Sequence, residues 1–141
     1  NYGLILGWFS VNNNFTTVPL FFYIGAIFWT LGYDTIYGFQ DIKDDEIIGV
    51  KSTSIKFKKN PKFFIFLCYL IFIVILTYLG ILMNFNKIYF GGLILITMHL
   101  FIFQIKSLNV NLKSNCLKIF KSNNFLGLLI FLNLLIGKII T

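Results

Sequence analysis

Every carboxylate side chain of this 141-residue chain lies between residues 34 and 46. The sequence on either side of this segment is strongly apolar and contains no other acidic residue. Carboxylate oxygens are the ligands that Mg²⁺ takes from proteins, usually one or two of them together with water and phosphate oxygens. The segment therefore predicts a site for a cation, or for an anion that a cation bridges. The five acidic residues are Asp34, Asp41, Asp44, Asp45 and Glu46.

Helical spacing arranges three of these acids. On one continuous helix, Asp34, Asp41 and Asp45 fall on a single narrow stripe. Tyr37 borders that stripe, whereas Asp44 lies off it and is compatible with an ordinary solvated face. Asp41 and Asp45 are one turn apart, so both carboxylates can reach one hard cation. Asp34 lies deepest, and a charge inside a bilayer costs roughly 2.5–3.5 kcal/mol on insertion scales, so such residues usually face a polar cavity.

A short basic and hydroxyl-bearing patch follows the acidic residues. It consists of Lys51, Ser52 and Thr53. A lysine at a membrane surface is routine and predicts little by itself. Next to a cation site, the patch becomes a predicted phosphate contact, because charge-assisted hydrogen bonds to phosphate are strong.

The composition is that of a membrane protein. The chain is 57% hydrophobic and 12% charged with a mean hydropathy of +0.83, whereas a soluble domain is about 25% charged. A spanning helix needs about 20 predominantly apolar residues. The apolar runs predict an all-α, polytopic transmembrane helix bundle with an Asp-rich inner loop at 41–60 and a short apolar helix tail at 3–11. The predicted spans are 16–40, 62–83, 88–106 and 123–140.

The twelve basic side chains are all lysine and give a net charge of +7. Most of them lie in the loops after the first and third predicted spans, which are on the same side of the membrane. The positive-inside rule places these loops, including the Asp-rich loop, in the cytoplasm or the equivalent organellar compartment. Membrane topology thus accounts for the lysines, and we predict a lipid bilayer rather than nucleic acid as the partner.

Polar and small residues inside the apolar spans predict contacts between helices. His99 and Gln104 lie in the third span, where a lone polar side chain usually forms a hydrogen bond to a neighbouring helix. The pair Gly91-Gly92 predicts close helix packing in the same span.

The acidic segment and its basic patch carry a family resemblance. Residues 33–57 read YDTIYGFQDIKDDEIIGVKSTSIKF and closely resemble the second Asp-rich motif of the UbiA-type intramembrane prenyltransferases. Within that family they look most like the 4-hydroxybenzoate polyprenyltransferases of ubiquinone synthesis. Residues 116–131, CLKIFKSNNFLGLLIF, resemble the run into the family's last helix. The matching positions are Asp34-Thr35 with Tyr37, Asp41 with Asp44-Asp45, and Gly49 with Lys51-Ser52-Thr53.

The resemblance implies a nine-helix fold, of which this chain would be the last four helices and a stub. It also implies an enzyme that binds a polyprenyl diphosphate through Mg²⁺ and transfers the polyprenyl group to the ring of 4-hydroxybenzoate. The family's first Asp-rich motif is absent from the sequence and would precede Asn1. We therefore expect a C-terminal part of a longer protein, inactive alone, from a bacterial or mitochondrial inner membrane.

Carried over residue by residue, the resemblance assigns Asp41 and Asp45 as Mg²⁺ ligands. Asp34 becomes a further acidic wall of the catalytic site, and the predicted diphosphate contacts are Lys51, Tyr37 and Asp44. Two alternatives stay open at this point. The acceptor could be a naphthoate or a haem, or the acidic stripe could be the ion path of a non-enzymatic divalent-cation transporter.

Overall fold

The computed structural model describes residues 2–11 and 16–139. These residues form seven α-helices and one π-helical segment and include no strand, which confirms the predicted all-α class. The helices are α1 (Tyr2–Val11), α2 (Val18–Gly38), α3 (Ile42–Ile48), α4 (Thr53–Lys56), α5 (Pro61–Leu82), α6 (Lys87–Met98), which continues into the π-helical segment (His99–Lys106), and α7 (Lys113–Ile139).

Local sequence signals set several of the helix ends. Pro19 lies in the first turn of α2, and Pro61 follows the N-cap Asn60 at the start of α5, positions at which the missing N–H costs little. The Asn86 side chain accepts a hydrogen bond from the Tyr89 N–H at 3.0 Å and thereby caps α6. Gly49 ends α3 with φ of 80°, a left-handed conformation that glycine adopts without steric cost.

Three of the described helices are long and apolar enough to cross a membrane. They are Pro61–Leu82, Lys87–Lys106 and Lys113–Ile139, with mean hydropathies of 2.8, 1.9 and 1.6. The first two have nearly the bounds of the predicted spans at 62–83 and 88–106. The third contains the described part of the span predicted at 123–140, of which residue 140 lies outside the described residues. Many of their large apolar side chains are exposed, as expected of a bundle that faces lipid.

Helix α2 takes up the segment predicted as the first span. It has 21 residues but carries Asp34 and several small or polar side chains, and it is not among the three apolar helices. It packs extensively along α5 and also contacts α7. At its middle, Gly32 is buried directly against the ring of Tyr69, where a Cβ atom would collide with that ring. This close approach fixes α2, and hence Asp34, relative to the apolar helices.

Two features of the third and fourth long helices differ from the sequence prediction. The third helix changes to π geometry over His99–Lys106, a form that is rare and usually short. The fourth begins at Lys113, ten residues before the start of the span predicted at 123–140. Leu112 and Lys113 are exposed, but Cys116 and Ile119 are buried. Because these two side chains are buried, the polar segment packs against the rest of the bundle and forms the first turns of α7.

Polar side chains join the long helices, as predicted for His99 and Gln104. The His99 Nε2 atom lies 3.3 Å from the Ser122 hydroxyl on α7. Gln104 is fully buried, and its Nε2 donates to the Asn123 Oδ1 atom at 3.0 Å. Both residues therefore make the predicted contacts between helices.

Candidate active site

The acidic segment is not one continuous helix, and the predicted stripe through Asp34, Asp41 and Asp45 is wrong in that respect. Helix α2 ends at Gly38, and Asp41 is the N-cap of α3, with φ of −119° and ψ of 15°. Tight hydrogen bonds of the i to i−3 type close α2, including Gln40 N–H to the Tyr37 carbonyl at 3.0 Å. Asp34 therefore projects from a different helix than Asp41 and Asp45.

Asp41 and Asp45 lie on the same side of this break. The Asp45 N–H donates to the Asp41 carbonyl at 2.9 Å, so the two residues are one helical turn apart. Among the described residues, no group of three or more His, Cys, Asp and Glu side chains is placed to hold a metal ion. Two adjacent carboxylates are nevertheless the donor set that Mg²⁺ takes when phosphate and water complete its shell. The pair thus fits Mg²⁺ shared with a phosphorylated substrate.

Two lysines contact the acidic residues. The Lys113 Nζ atom lies 3.6 Å from the Asp41 Oδ1 atom and comes from the first turn of α7. The Lys58 Nζ atom lies 2.5 Å from the Glu46 Oε1 atom. Glu46 is therefore hydrogen-bonded to Lys58, whereas Lys113 forms only a longer ion pair with Asp41. Lys113 could not be predicted as a neighbour of Asp41, because the 71 intervening positions leave no local signal.

The basic patch is docked back onto α2 through hydroxyl groups. The Oγ1 atoms of Thr35 and Thr53 lie 2.7 Å apart, and the Ser54 hydroxyl donates to the Thr35 carbonyl at 3.0 Å. Ser52 caps α4 by accepting from the Ile55 N–H at 3.3 Å. The patch lines a shallow cavity of about 400 Å³. Its lining residues are Val50, Lys51, Ser52, Thr53, Ile55 and Lys56.

These contacts close the acidic segment into a compact loop. Thr35 directly follows Asp34, and Thr53 directly follows the Lys51-Ser52 pair. Their contact brings Asp34, which is exposed, and the basic patch to one end of α2, although residues 36–52 separate Thr35 from Thr53 in sequence. Lys51 itself is exposed at the rim of its cavity.

A second cavity of about 310 Å³ lies beside the acidic segment, between α2 and α7. Trp29, Tyr33 and Phe120 supply its aromatic walls. The Tyr37 ring lies 4.6 Å from the ring of Phe120, centroid to centroid, so Tyr37 continues the aromatic surface toward the acids. These walls could not be predicted from the sequence, because the aromatic residues are too numerous to be selected by composition. The remaining lining residues are Asn123, Asn124 and Gly127.

The apolar helices, with an acidic loop at one end of α2, define a helical membrane protein. Residues 2–135 match the UbiA prenyltransferase family, and the chain belongs to that family. The resemblance seen in the acidic segment is thereby confirmed over almost the whole chain. No solved structure gives a significant match.

The chain is also similar to curated proteins. It is 36% identical over 140 residues to the mitochondrial 4-hydroxybenzoate polyprenyltransferase of Bos taurus, covering 99% of this chain and 38% of that protein. It is 41% identical over 111 residues to the 4-hydroxybenzoate octaprenyltransferase of Psychromonas ingrahamii, covering 79% of this chain and 38% of that protein. The octaprenyltransferase of Francisella tularensis is 31% identical over 142 residues, with 99% and 48% covered. The chain thus spans less than half the length of these relatives.

Proposed function

We propose that this chain is part of an integral-membrane enzyme that transfers a polyprenyl group from polyprenyl diphosphate to the ring of 4-hydroxybenzoate, in ubiquinone biosynthesis. The observation that carries the proposal is the loop closed by Thr35 and Thr53. This loop contains two carboxylates one turn apart and a lysine, and it follows the end of α2, whose residues Trp29 and Tyr33 line the aromatic cavity. The names of the curated relatives support the same acceptor.

Asp41 and Asp45 would hold Mg²⁺, and Asp44, in the same turn of α3, would support the negative wall around it. When bound, the ion neutralises the charge that develops on diphosphate as it leaves. Lys51 would contact the diphosphate oxygens from the rim of its cavity, and Tyr37 would contact them from α2. The positions of Asp41, Asp44, Asp45 and Lys51 on the segment that Thr35 and Thr53 close support these roles.

The reaction breaks the bond between the allylic carbon and the diphosphate oxygen, and diphosphate departs with the electron pair. The allylic cation then bonds to the ring carbon next to the phenol hydroxyl, and that carbon loses its proton to solvent or to a nearby base. Asp34 would form an acidic wall near the developing positive charge. The surrounding apolar helices keep water away from the cation, which water would otherwise capture.

The location of the loop follows from the lysines. Ten of the twelve lysines lie in the two loops on the side of the Asp-rich segment or in the helical turns that border them. We infer that this side faces the bacterial cytoplasm or the mitochondrial matrix. The loop would then receive a water-soluble acceptor and release diphosphate on that side, while the polyprenyl chain stays in the bilayer.

The test is a transfer assay with the membrane-embedded, full-length protein, radiolabelled 4-hydroxybenzoate, a short polyprenyl diphosphate and Mg²⁺. Asp41→Asn and Asp45→Asn should each lower turnover by about 100-fold or more, because each removes a proposed ion ligand. Glu46→Gln is the matched control, since Glu46 pairs with Lys58 instead, and it should stay near wild type. Normal turnover in either Asp variant would exclude the proposed metal role.

Two further arms address the alternatives. Replacing 4-hydroxybenzoate by a naphthoate or a haem precursor should abolish product, and product with only those acceptors would reassign the substrate. EDTA should stop transfer, and Mg²⁺ should restore it.

The 141-residue chain alone is expected to be inactive, because it spans only 38% of the Bos taurus relative. Measurable transfer by this piece would contradict that expectation.

A further inference from the structure

A buried polar network runs through the centre of the bundle and ends at the aromatic cavity. The Tyr69 hydroxyl donates to the Gln104 Oε1 atom at 2.5 Å, and the Gln104 Nε2 donates to the Asn123 Oδ1 atom at 3.0 Å. The Trp29 indole N–H donates to the same Asn123 oxygen at 3.1 Å. The network therefore joins α5, the π-helical segment, α7 and α2 through side chains that are largely removed from solvent.

Asn123 has no hydrogen-bonding capacity left for a ligand. Its oxygen accepts from Gln104 and Trp29, and its Nδ2 donates to the carbonyls of Ile119 and Phe120 at 3.3 and 3.2 Å. A side-chain amide offers two donors and two acceptor sites, and all four are used. Asn123 is also only 6% exposed. Its contribution must therefore pass through the residues that it holds, of which Trp29 is the one in the cavity wall.

Trp29 is fixed on three sides. Its N–H is bound to Asn123, its ring stacks on Phe72 at 5.6 Å with an interplanar angle of 13°, and Tyr33 contacts it edge-on at 5.5 Å. Offset-stacked and edge-to-face pairs at such distances are favourable geometries for aromatic rings. An indole held in this way presents a rigid flat surface to the cavity, at little entropic cost to whatever binds there.

The cavity has the size and lining for a single aromatic ring. Its volume of about 310 Å³ is at the lower end of the range for small-molecule pockets, roughly 300–1,000 Å³. Tyr33 and Phe120 form further walls, and the exposed Asn124 side chain makes no hydrogen bond to another described residue. That free amide can contact a hydroxyl or carboxylate substituent. Tyr33 immediately precedes Asp34, so a ring bound here lies next to the acidic loop.

We propose that this cavity binds the ring of the aromatic acceptor, and that Asn123 is a positioning residue that orients Trp29 as its wall. The inference rests on the proposed function for the identity of the acceptor. Gln104 and Tyr69 extend the support, because they fix the Asn123 oxygen from the opposite side. The network thus connects the packing of four helices to the shape of one subsite.

The experiment measures equilibrium binding of radiolabelled 4-hydroxybenzoate to the solubilised full-length protein, with Mg²⁺ and a non-reactive thio-analogue of a polyprenyl diphosphate present. Asn123→Leu should raise the acceptor Kd about tenfold, since the indole loses its buried acceptor. Trp29→Phe, which keeps an aromatic wall but removes the N–H, should raise it as well. Asn133→Leu is the matched control, because Asn133 is a buried asparagine of the same helix at 7% exposure and lies away from this cavity. It should leave the acceptor Kd within about twofold.

The double variant distinguishes positioning from a general structural role. If Asn123 acts through Trp29, the Kd of Asn123→Leu combined with Trp29→Phe should not exceed that of the weaker-binding single variant. Additive losses, or an unchanged acceptor Kd in Trp29→Phe, would overturn the proposal. Trp29→Phe alone decides the question if Asn123→Leu fails to fold. Binding of 4-hydroxybenzoate without turnover would refute the proposed function and leave this inference standing. Turnover with an unchanged acceptor Kd in all variants would refute this inference and leave the proposed function standing.

Discussion

Thr53 donates its hydroxyl hydrogen to the Thr35 hydroxyl, across an oxygen–oxygen distance of 2.7 Å. The direction follows from the Thr35 hydroxyl, whose own hydrogen is bound to the Leu31 carbonyl at 2.6 Å. The residue that follows Asp34 and the residue two positions after Lys51, the proposed diphosphate lysine, are thereby linked. Together with the hydrogen bond from the Ser54 hydroxyl to the Thr35 carbonyl, this contact joins α4 to α2.

Removing the donor should loosen the loop. Thr53→Val keeps the shape of the side chain and should lower the free energy of unfolding by about 0.5–1.5 kcal/mol, the usual net worth of one hydrogen bond. Cleavage by a lysine-specific protease at Lys43 and Lys51 should become faster. Thermal unfolding and limited proteolysis of the solubilised protein measure the two effects.

Thr77→Val is the control for that substitution. The Thr77 hydroxyl donates to the Ile73 carbonyl at 2.8 Å within its own helix, so its loss leaves the loop intact. Equal proteolysis rates in Thr53→Val and Thr77→Val would show that the contact does not hold the loop.

Lys113 and a bound cation would compete for Asp41. The exposed pair at 3.6 Å contributes little to stability, because solvent screens it. Removing the lysine charge should nevertheless favour Mg²⁺, and Lys113→Gln should lower the Mg²⁺ concentration for half-maximal transfer roughly twofold. Lys118→Gln, an exposed lysine of the same helix, should leave it unchanged. A higher Mg²⁺ requirement in Lys113→Gln would contradict the placement of the ion at Asp41.

Local signals predicted the helix ends but not the contacts between distant residues. Gly49 and the Asn60-Pro61 pair mark such ends through backbone preferences of their own. The helical spacing of Asp34, Asp41 and Asp45 continues across residues 39–41, so the break there could not be read from periodicity. It is accompanied by the docking of α4 on Thr35, a tertiary contact.

The positioning network shows the same limit. Asn123 lies within the segment that resembles the family, yet nothing in that segment indicates its hydrogen bond to Trp29, which is 94 residues away. Gln104 was predicted to bond across the bundle, and it does so with Asn123. The π-helical geometry of His99–Lys106, the segment that carries Gln104, could not be predicted either, because an apolar run contains no sequence signature for it.

The proposed phosphate role of Lys51 predicts a selective kinetic effect. Lys51→Gln should raise the KM for polyprenyl diphosphate about tenfold, the order expected for the loss of a charge-assisted hydrogen bond. The KM for 4-hydroxybenzoate should stay the same, since the aromatic cavity is lined by other residues. Steady-state kinetics with each substrate varied in turn provide the measurement.

Lys59→Gln is the matched variant for that kinetic test, because Lys59 is also exposed and lies in the turn after α4. It should not change either KM. A rise of the same size in both lysine variants would mean that the loop attracts diphosphate through its overall charge, and that Lys51 makes no specific contact.

The neighbouring glycines Gly91 and Gly92 should respond differently to the same substitution. A Cβ atom on Gly92 would collide with the Asn133 side-chain amide, whereas no heavy atom lies within 4 Å of a Cβ atom on Gly91. Asn133 also donates to the Tyr89 carbonyl at 3.1 Å and so joins α6 to α7. Gly92→Ala would displace this amide and should cost about 1–3 kcal/mol of stability.

Gly91→Ala should be neutral or stabilising by up to about 1 kcal/mol, because alanine is the better helix former and meets nothing. Thermal unfolding of the two variants side by side in the same detergent makes the comparison. Equal destabilisation would mean that both glycines are packed, as the sequence pattern alone predicts. A loss confined to Gly92→Ala would show that α6 approaches α7 through one glycine, with Asn133 as the residue that requires it.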